Sequence, residues 1–126
     1  MAAELILIIE DNEKNRKLIR DLLQVKGYQT IESETAEEGL KLAEEKSPAL
    51  ILMDIQLSGM DGITAMKQLK ATPTTKSIPV IAITASAMTH NRETMLAEGF
   101  DGYQTKPLNL NEFLSDIDRL IVSRGR

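Results

Sequence analysis

The sequence lacks cysteine, basic segments and long apolar runs, and each absence excludes a class of function. Its 126 residues contain no cysteine and one histidine, so disulfides and thiolate metal sites are excluded. Acidic and basic residues are interspersed and give a net charge of −4, which leaves no basic face to neutralise the phosphates of nucleic acid. The N-terminal apolar run has five residues, follows Glu4 and lacks a preceding basic segment. This run is too short for a membrane span or signal peptide, so we expect a cytoplasmic protein without nucleic-acid or membrane partners.

Four runs of apolar or alternating residues each end at a polar or charged side chain. In chain order, these end points are Glu10 with Asp11, then Asp54, Thr84, and Lys106 with Pro107. Helical patterns separate the runs, and a short β-prone run at residues 28–31 adds a fifth strand. Strict alternation of strands and helices implies parallel pairing through right-handed crossovers. We therefore predict an α/β fold of the (βα)5 type, a doubly wound parallel sheet in a single domain spanning residues 1–126.

The order of the strands follows from which runs are apolar throughout. Runs one, three and four are apolar throughout, as expected for strands that are buried on both faces of a sheet. Run two and run five, at residues 28–31 and 100–103, contain polar residues and are therefore placed at the edges. The order 2-1-3-4-5 satisfies both observations, and its switch point lies between strands one and three, beside Asp11 and Asp54.

Capping residues and glycines mark the predicted helix boundaries. Residues 14–26 place apolar side chains on one face and stop at Gly27, a residue type that commonly follows a helix. Thr35 with Glu38 forms a capping box that opens a helix through about Lys46, and residues 109–112 resemble a second box before the last helix. Helix four, predicted over about residues 89–98, has the poorest apolar periodicity of the five. We interpret its His90 as a surface residue.

The side chains at the strand ends should share one crevice, since the carboxyl ends of parallel strands meet at one edge of the sheet. Glu10, Asp11 and Asp54 would repel one another there unless they were protonated or neutralised by a cation. Carboxylates without imidazole or thiolate favour a hard cation, and Mg²⁺ fits best. Together with the ammonium of Lys106 and the hydroxyl of Thr84, such a site suits a phosphoryl group. Asp54, alone at the end of the central strand, is the best candidate nucleophile.

Five short motifs resemble, in order and position, the receiver domain of bacterial response regulators, and in particular its stand-alone, CheY-like type. They are Glu10-Asp11-Asn12, Met53-Asp54, Met60-Asp61-Gly62, Thr84-Ala85 and Lys106-Pro107. The resemblance covers almost the whole chain. The strand order 2-1-3-4-5 is also that of CheY-like receivers, and our prediction of it draws on this resemblance.

The resemblance implies a function in a two-component phosphorelay. Asp54 would accept a phosphoryl group from a phosphohistidine of a sensor histidine kinase or phosphotransfer protein. Mg²⁺ would be bound by Asp11, Asp54 and the backbone carbonyl of Gln56, with Glu10 acting largely through water. The protein would be a phosphoacceptor rather than an enzyme, with at most self-phosphorylation and auto-dephosphorylation activity. With the chain ending soon after the fifth helix, we expect no attached output domain.

The resemblance also implies a switch. Lys106 would pair with one phosphoryl oxygen, while Thr84 and the Ala85 amide would move toward Asp54 to bind the others. Tyr103 would change rotamer as Thr84 moves, and the Lys106–Pro107 peptide would be cis. Because helix four has the poorest apolar periodicity and therefore few core contacts, we predict that the regulated surface for a downstream protein consists of helix four, strand five and helix five.

The sequence departs from the family at one position and leaves the lifetime of the phosphoryl group open. Ser58 stands where the family usually has proline, which loosens the loop after strand three. Gln56 and Ser86 occupy positions that tune dephosphorylation in the family, and neither is acidic.

The same residues argue against two other kinds of protein. A haloacid-dehalogenase-like phosphatase needs a second aspartate where this chain has Gln56, and a flavodoxin needs a Ser/Thr/Gly-rich loop where it has Glu10-Asp11-Asn12-Glu13. Two alternatives stay open. One is a constitutive protein-binding module. The other is a pure phosphate carrier in a relay, with its partner docking near Lys14, Asn15 and Leu18.

Overall fold

The computed structural model describes residues 4–124, in which strands and helices alternate strictly. The elements are β1 (Leu5–Ile9), α1 (Glu13–Val25), β2 (Gln29–Ser33), α2 (Ala36–Lys46), β3 (Leu50–Asp54), α3 (Gly62–Ala71), β4 (Val80–Thr84), α4 (Arg92–Glu98), β5 (Gly102–Thr105) and α5 (Leu110–Arg124). All strand pairs are parallel, and the strand order is 2-1-3-4-5. The predicted (βα)5 fold and strand order are confirmed.

Two apolar layers cover the two faces of the sheet. Along β1, Ile6 and Ile8 contribute to one layer while Leu7 and Ile9 contribute to the other, because successive side chains of a strand face opposite sides. Helices α1 and α5 complete the first layer through Ile19, Leu23, Phe113, Ile117 and Leu120. Helices α2, α3 and α4 complete the second, mainly through Ala36, Ala43, Ala65, Met66, Leu69 and Met95. Helices on both faces make the sheet doubly wound, as predicted.

The capping signals identify most helix starts correctly. Thr35 accepts a hydrogen bond from the Glu38 amide at 3.1 Å, and Asn109 accepts one from the Glu112 amide at 3.1 Å. Only half of the first capping box forms, since the Thr35 amide donates to the Ser33 hydroxyl. Among the described residues, no helix is both long and apolar enough to cross a membrane.

The predicted boundaries that differ most from those of the structure are the starts of α4 and β5 and the end of β2. Helix α4 begins at Arg92 rather than near residue 89, because Asn91 caps it by accepting from the Thr94 amide at 2.9 Å. Strand β5 begins at Gly102 rather than at residue 100, since the Phe100 amide still bonds to the Met95 carbonyl of α4. Strand β2 continues to Ser33, two residues past the end predicted at residue 31, because its last residues remain paired with β1.

Candidate functional site

The predicted acidic residues meet at the carboxyl ends of β1 and β3. Carboxylate oxygens of Glu10, Asp11 and Asp54 all lie within 4.8 Å of one another. The pairing of β1 with β3 brings Glu10 and Asp54 together. Ile9 pairs with Met53, and the next residues in the sequence are Glu10 and Asp54. Glu10 and Asp54 are only 2% and 3% exposed, whereas Asp11 is exposed. The cluster therefore has a buried floor and an open mouth.

Lys106 supplies the positive charge of this cluster. Its Nζ lies 2.9 Å from Glu10 Oε1 and 3.3 Å from Asp54 Oδ2. The ammonium comes from the end of β5, where the Lys106 amide donates to the Thr84 carbonyl and the Lys106–Pro107 peptide bond is cis. Three carboxylates against one ammonium leave an excess of negative charge at the mouth.

Burial and neighbouring charges shift the pKa values of two groups in the cluster. Burial raises the pKa of Glu10, and Asp54 adds to this effect while Lys106 opposes it. Burial by itself would lower the pKa of Lys106, but its ion pairs with Glu10 and Asp54 outweigh burial and raise it. Lys106 is therefore a firmly charged ammonium at neutral pH.

The cluster fits a hard divalent cation. Its donors are all carboxylate oxygens, the type that Mg²⁺ and Ca²⁺ prefer. Glu10 Oε1 is buried and, among the described residues, receives no hydrogen bond of good geometry despite the nearby Lys106. The Gln56 amide donates to Asp54 Oδ1 at 3.0 Å, which places the Gln56 backbone beside the cluster.

Two other motif residues, Asp61 and Gly62, lie at the start of α3 beside the backbone of Asp54. Asp61 caps α3 by accepting from the Thr64 amide at 2.8 Å. At Gly62 a side chain would clash, because a Cβ there would lie 2.4 Å from the Asp54 carbonyl oxygen. Ser58, the departure from the family, places its hydroxyl 3.4 Å from Asp11 Oδ2. The close approach to Asp54 explains why a residue without a Cβ begins α3.

The predicted switch residues lie at the end of β4 and on β5. Thr84 is buried, and its hydroxyl accepts from the Ser86 amide at 3.0 Å. The Ala85 amide donates to the side-chain Oε1 of Gln56 at 3.2 Å. Tyr103 is 5% exposed, and its hydroxyl donates to the backbone carbonyl of His90 at 2.6 Å. Thr84, Ala85 and Tyr103 thus have local partners other than the acidic cluster.

His90 has a different place from the one predicted. It precedes α4 rather than lying within it, is partly buried, and has its Nδ1 3.5 Å from the Thr84 hydroxyl. Since its carbonyl also receives the Tyr103 hydroxyl, His90 connects two switch residues. The spacing of residues in the sequence could not predict the contact between His90 and Thr84, because this contact depends on the path of the loop after β4.

An apolar cavity of about 190 Å³ adjoins the site. It is lined by Asn15, Leu18, Ile19, Ile83, Lys106, Pro107 and Leu108. Leu18 is 54% exposed, so an apolar surface on α1 borders the cavity beside Lys106.

Known proteins share this sequence and this fold. The family model for the response regulator receiver domain matches residues 6–118. The polar-differentiation response regulator DivK of Brucella ovis is 44% identical over 112 residues, which cover 89% of this chain and 91% of the relative.

Solved structures extend the comparison to three dimensions. The receiver domain of a Pseudomonas aeruginosa sensor histidine kinase, described with a magnesium ion coordinated in its active-site cleft, is 32% identical with a TM-score of 0.87 over 95% of this chain and 98% of the other. A response regulator from Chloroflexus aurantiacus has a TM-score of 0.89 at 23% identity, over 95% and 98% of the two chains, and shows the shared fold alone. Sequence, fold and the acidic crevice agree, and the chain belongs to the response regulator receiver domain family of two-component systems.

Proposed function

We propose that this receiver domain accepts a phosphoryl group on Asp54 from a phosphohistidine, in the presence of Mg²⁺, and so changes its binding to other proteins. The observation that carries the proposal is the convergence of three carboxylates within 4.8 Å on a lysine 3.3 Å from Asp54. Receiver domains act with histidine kinases or phosphotransfer proteins, so the donor belongs to one of these two classes.

In the proposed transfer, Asp54 is the nucleophile. A carboxylate oxygen attacks phosphorus, the oxygen–phosphorus bond forms, and the phosphorus–nitrogen bond of the donor breaks with the electron pair returning to the imidazole. The Gln56 amide and Lys106 hold the two carboxylate oxygens of Asp54, so its orientation is fixed before the donor arrives. Lys106 then neutralises part of the phosphoryl charge.

Mg²⁺ would be held by Asp11, Asp54 and the backbone carbonyl of Gln56, with Glu10 binding through a water. When bound, the ion neutralises charge on the phosphoryl oxygens and brings them near Asp54. The excess of negative charge in the crevice and the buried Glu10 oxygen support this assignment. The magnesium described for the Pseudomonas aeruginosa receiver supports it by similarity.

The proposed output involves Thr84, Ala85 and Tyr103. A phosphoryl group adds roughly 1.5 to 2 negative charges at the strand ends, which attract the Thr84 hydroxyl and the Ala85 amide. Tyr103 connects this movement to the loop before α4 through its hydrogen bond to the carbonyl of His90. The surface formed by α4, β5 and α5 is therefore the proposed regulated face for a downstream protein.

A second function, that of a phosphate carrier in a relay, has its own support. The cavity beside Lys106 and the exposed Leu18 form an apolar surface next to the site, where a phosphodonor could dock near Lys14, Asn15 and Leu18. In either role we propose a single receiver domain over residues 1–126, working in the cytoplasm as a phosphoacceptor rather than an enzyme.

Phosphorylation by a small donor tests the proposal directly. With acetyl phosphate or phosphoramidate and Mg²⁺, intact mass should show one phosphoryl adduct, lost in Asp54→Asn and in excess EDTA. Asp21→Asn is the matched control, because it makes the same change at an exposed carboxylate on α1. Labelling that persists in Asp54→Asn, or no labelling of the wild type, would contradict the assignment.

A further inference from the structure

Arg16 is a buried charged residue that the proposed transfer does not use. It lies on α1 and is 9% exposed, and its Nη1 donates to the backbone carbonyl of Glu10 at 2.9 Å. We propose that Arg16 is a positioning residue, which fixes the direction of the Glu10–Asp11 backbone and thereby the affinity of the acidic cluster for a divalent cation. The inference rests on the proposed function, since it assumes that this cluster holds the cation.

The guanidinium is anchored on the side away from the cluster. Its Nε lies 3.3 Å from Glu32 Oε1 and its Nη2 3.3 Å from Glu34 Oε1. Glu32 is also held by Arg20 at 2.9 Å. The Glu34 side chain is 70% exposed, so Glu32 on β2 provides most of the anchoring. One rigid planar group therefore connects β2 to the carbonyl of Glu10.

The Glu10 carbonyl controls where Asp11 points. A peptide group is planar, so fixing the Glu10 oxygen also fixes the plane in which the chain enters Asp11. The Glu10 amide is held as well, because it donates to the Ser33 carbonyl at 3.0 Å. Asp11 itself is exposed, and within residues 4–124 its only side-chain hydrogen bond comes from Ser58 at 3.4 Å. The direction of Asp11 is thus set mainly through its backbone.

Such a restraint is needed because the carboxylates repel one another. Without a cation, repulsion among Glu10, Asp11 and Asp54 favours a loop in which the exposed Asp11 swings away. A charged donor makes a stronger hydrogen bond to a carbonyl than a neutral one, so Arg16 opposes this movement. Groups that orient metal ligands in this way typically change metal affinity by about 10-fold or more when they are removed.

Arg20 provides the matched control. It lies on the same helix and pairs with the same Glu32, but its described contacts are with Glu32 and Asp21 rather than Glu10. Arg16→Met and Arg20→Met therefore both remove an ion pair between α1 and β2, and only the first releases the Glu10 carbonyl.

The experiment is calorimetric titration of Mg²⁺ into the wild type, Arg16→Met, Arg16→Lys and Arg20→Met, with urea unfolding of each. We expect roughly 10-fold weaker Mg²⁺ binding for Arg16→Met, partial recovery for Arg16→Lys, and a change of less than about 2-fold for Arg20→Met. In metal-free protein, the backbone amide resonances of Asp11 and Asn12 should shift in Arg16→Met and stay in place in Arg20→Met. If Arg16→Met does not fold, Arg16→Lys against Arg20→Met decides by the same two measurements.

Equal Mg²⁺ affinities for the Arg16 and Arg20 variants would overturn the inference, as would a wild type that binds no Mg²⁺. A wild type that binds Mg²⁺ but is not phosphorylated would overturn only the proposed function. Conversely, normal phosphorylation of Asp54 with identical Mg²⁺ binding in both variants would overturn only the role of Arg16.

Discussion

The acidic cluster at the ends of β1 and β3 and the loop after β4 are built in different ways. The cluster has two nearly buried carboxylates, and an ammonium within 3.3 Å of both holds it together. The loop exposes Ala85 and Met88, the latter 96% exposed, and its described polar contacts include a 3.2 Å bond from Ala85 to Gln56 and a 3.5 Å approach of Thr84 to His90. The acidic cluster can bind a cation without rearranging. The loop after β4, in contrast, can exchange its hydrogen-bond partners at little cost in free energy.

Removing Lys106 should break the cluster most severely. In Lys106→Met two buried carboxylates lose their counterion, and we expect a loss of about 2 kcal/mol in the free energy of unfolding, discounted from the larger penalty of a fully buried pair because the lysine is partly exposed. Millimolar Mg²⁺ should restore part of this loss. Urea unfolding with and without Mg²⁺ measures both effects.

Lys17→Met is the control for this prediction, because it removes an exposed lysine that pairs with Asp21 on α1. It should leave unfolding unchanged within error. An unfolding free energy of Lys106→Met equal to that of the wild type would mean that the cluster does not depend on its ammonium.

Hydrogen exchange compares the two regions within one molecule. Between the metal-free form and the form with Mg²⁺ and beryllofluoride, the largest changes should occur in residues 85–99 and around Tyr103, because few buried groups hold that segment. Tyr103→Phe, which removes the hydroxyl bonded to His90, should raise exchange of this segment in the metal-free form. A matched Tyr28→Phe removes a hydroxyl bonded to Asp118 on α5 and should leave the segment unchanged.

Protection from hydrogen exchange that is confined to the loops around Asp11 and Asp54 would contradict this expectation. The loop after β4 would then be no switch, and the phosphate carrier with its partner near α1 would become the better description.

The smallest expected effect concerns Gln56. Its carboxamide oxygen accepts a hydrogen bond from the Ala85 amide. This hydrogen bond must break before the Ala85 amide can bind a phosphoryl oxygen. Gln56→Ala should therefore raise beryllofluoride affinity about 2- to 5-fold, since one exposed hydrogen bond contributes roughly 0.5–1 kcal/mol. Gln56→Glu keeps an acceptor oxygen and adds charge, so it should bind beryllofluoride more weakly than the wild type. Equal beryllofluoride affinities for the wild type and the two variants would show that the hydrogen bond between Gln56 and Ala85 does not compete with beryllofluoride binding.

Most of the fold was predictable from local patterns. Apolar runs ending at Glu10, Asp54 and Thr84 predicted the strands, because period and polarity are written into consecutive residues. Capping residues predicted the starts of α2 and α5. The start of α4 was predicted too early, since the segment before Asn91 has helix-compatible residues but forms a loop whose carbonyl at His90 bonds to Tyr103.

The sequence by itself determined which chemical groups this protein gathers at one sheet edge, because the alternation of strands and helices allows only a parallel sheet whose strand ends meet. Tertiary structure alone decided the contacts that restrain those groups, namely Arg16 with the Glu10 carbonyl, Gln56 with the Ala85 amide, and His90 with Thr84 and Tyr103. The physical reason is that each of these depends on a loop path and a side-chain rotamer rather than on periodicity. Their directions are fixed only after both apolar layers have packed against the sheet.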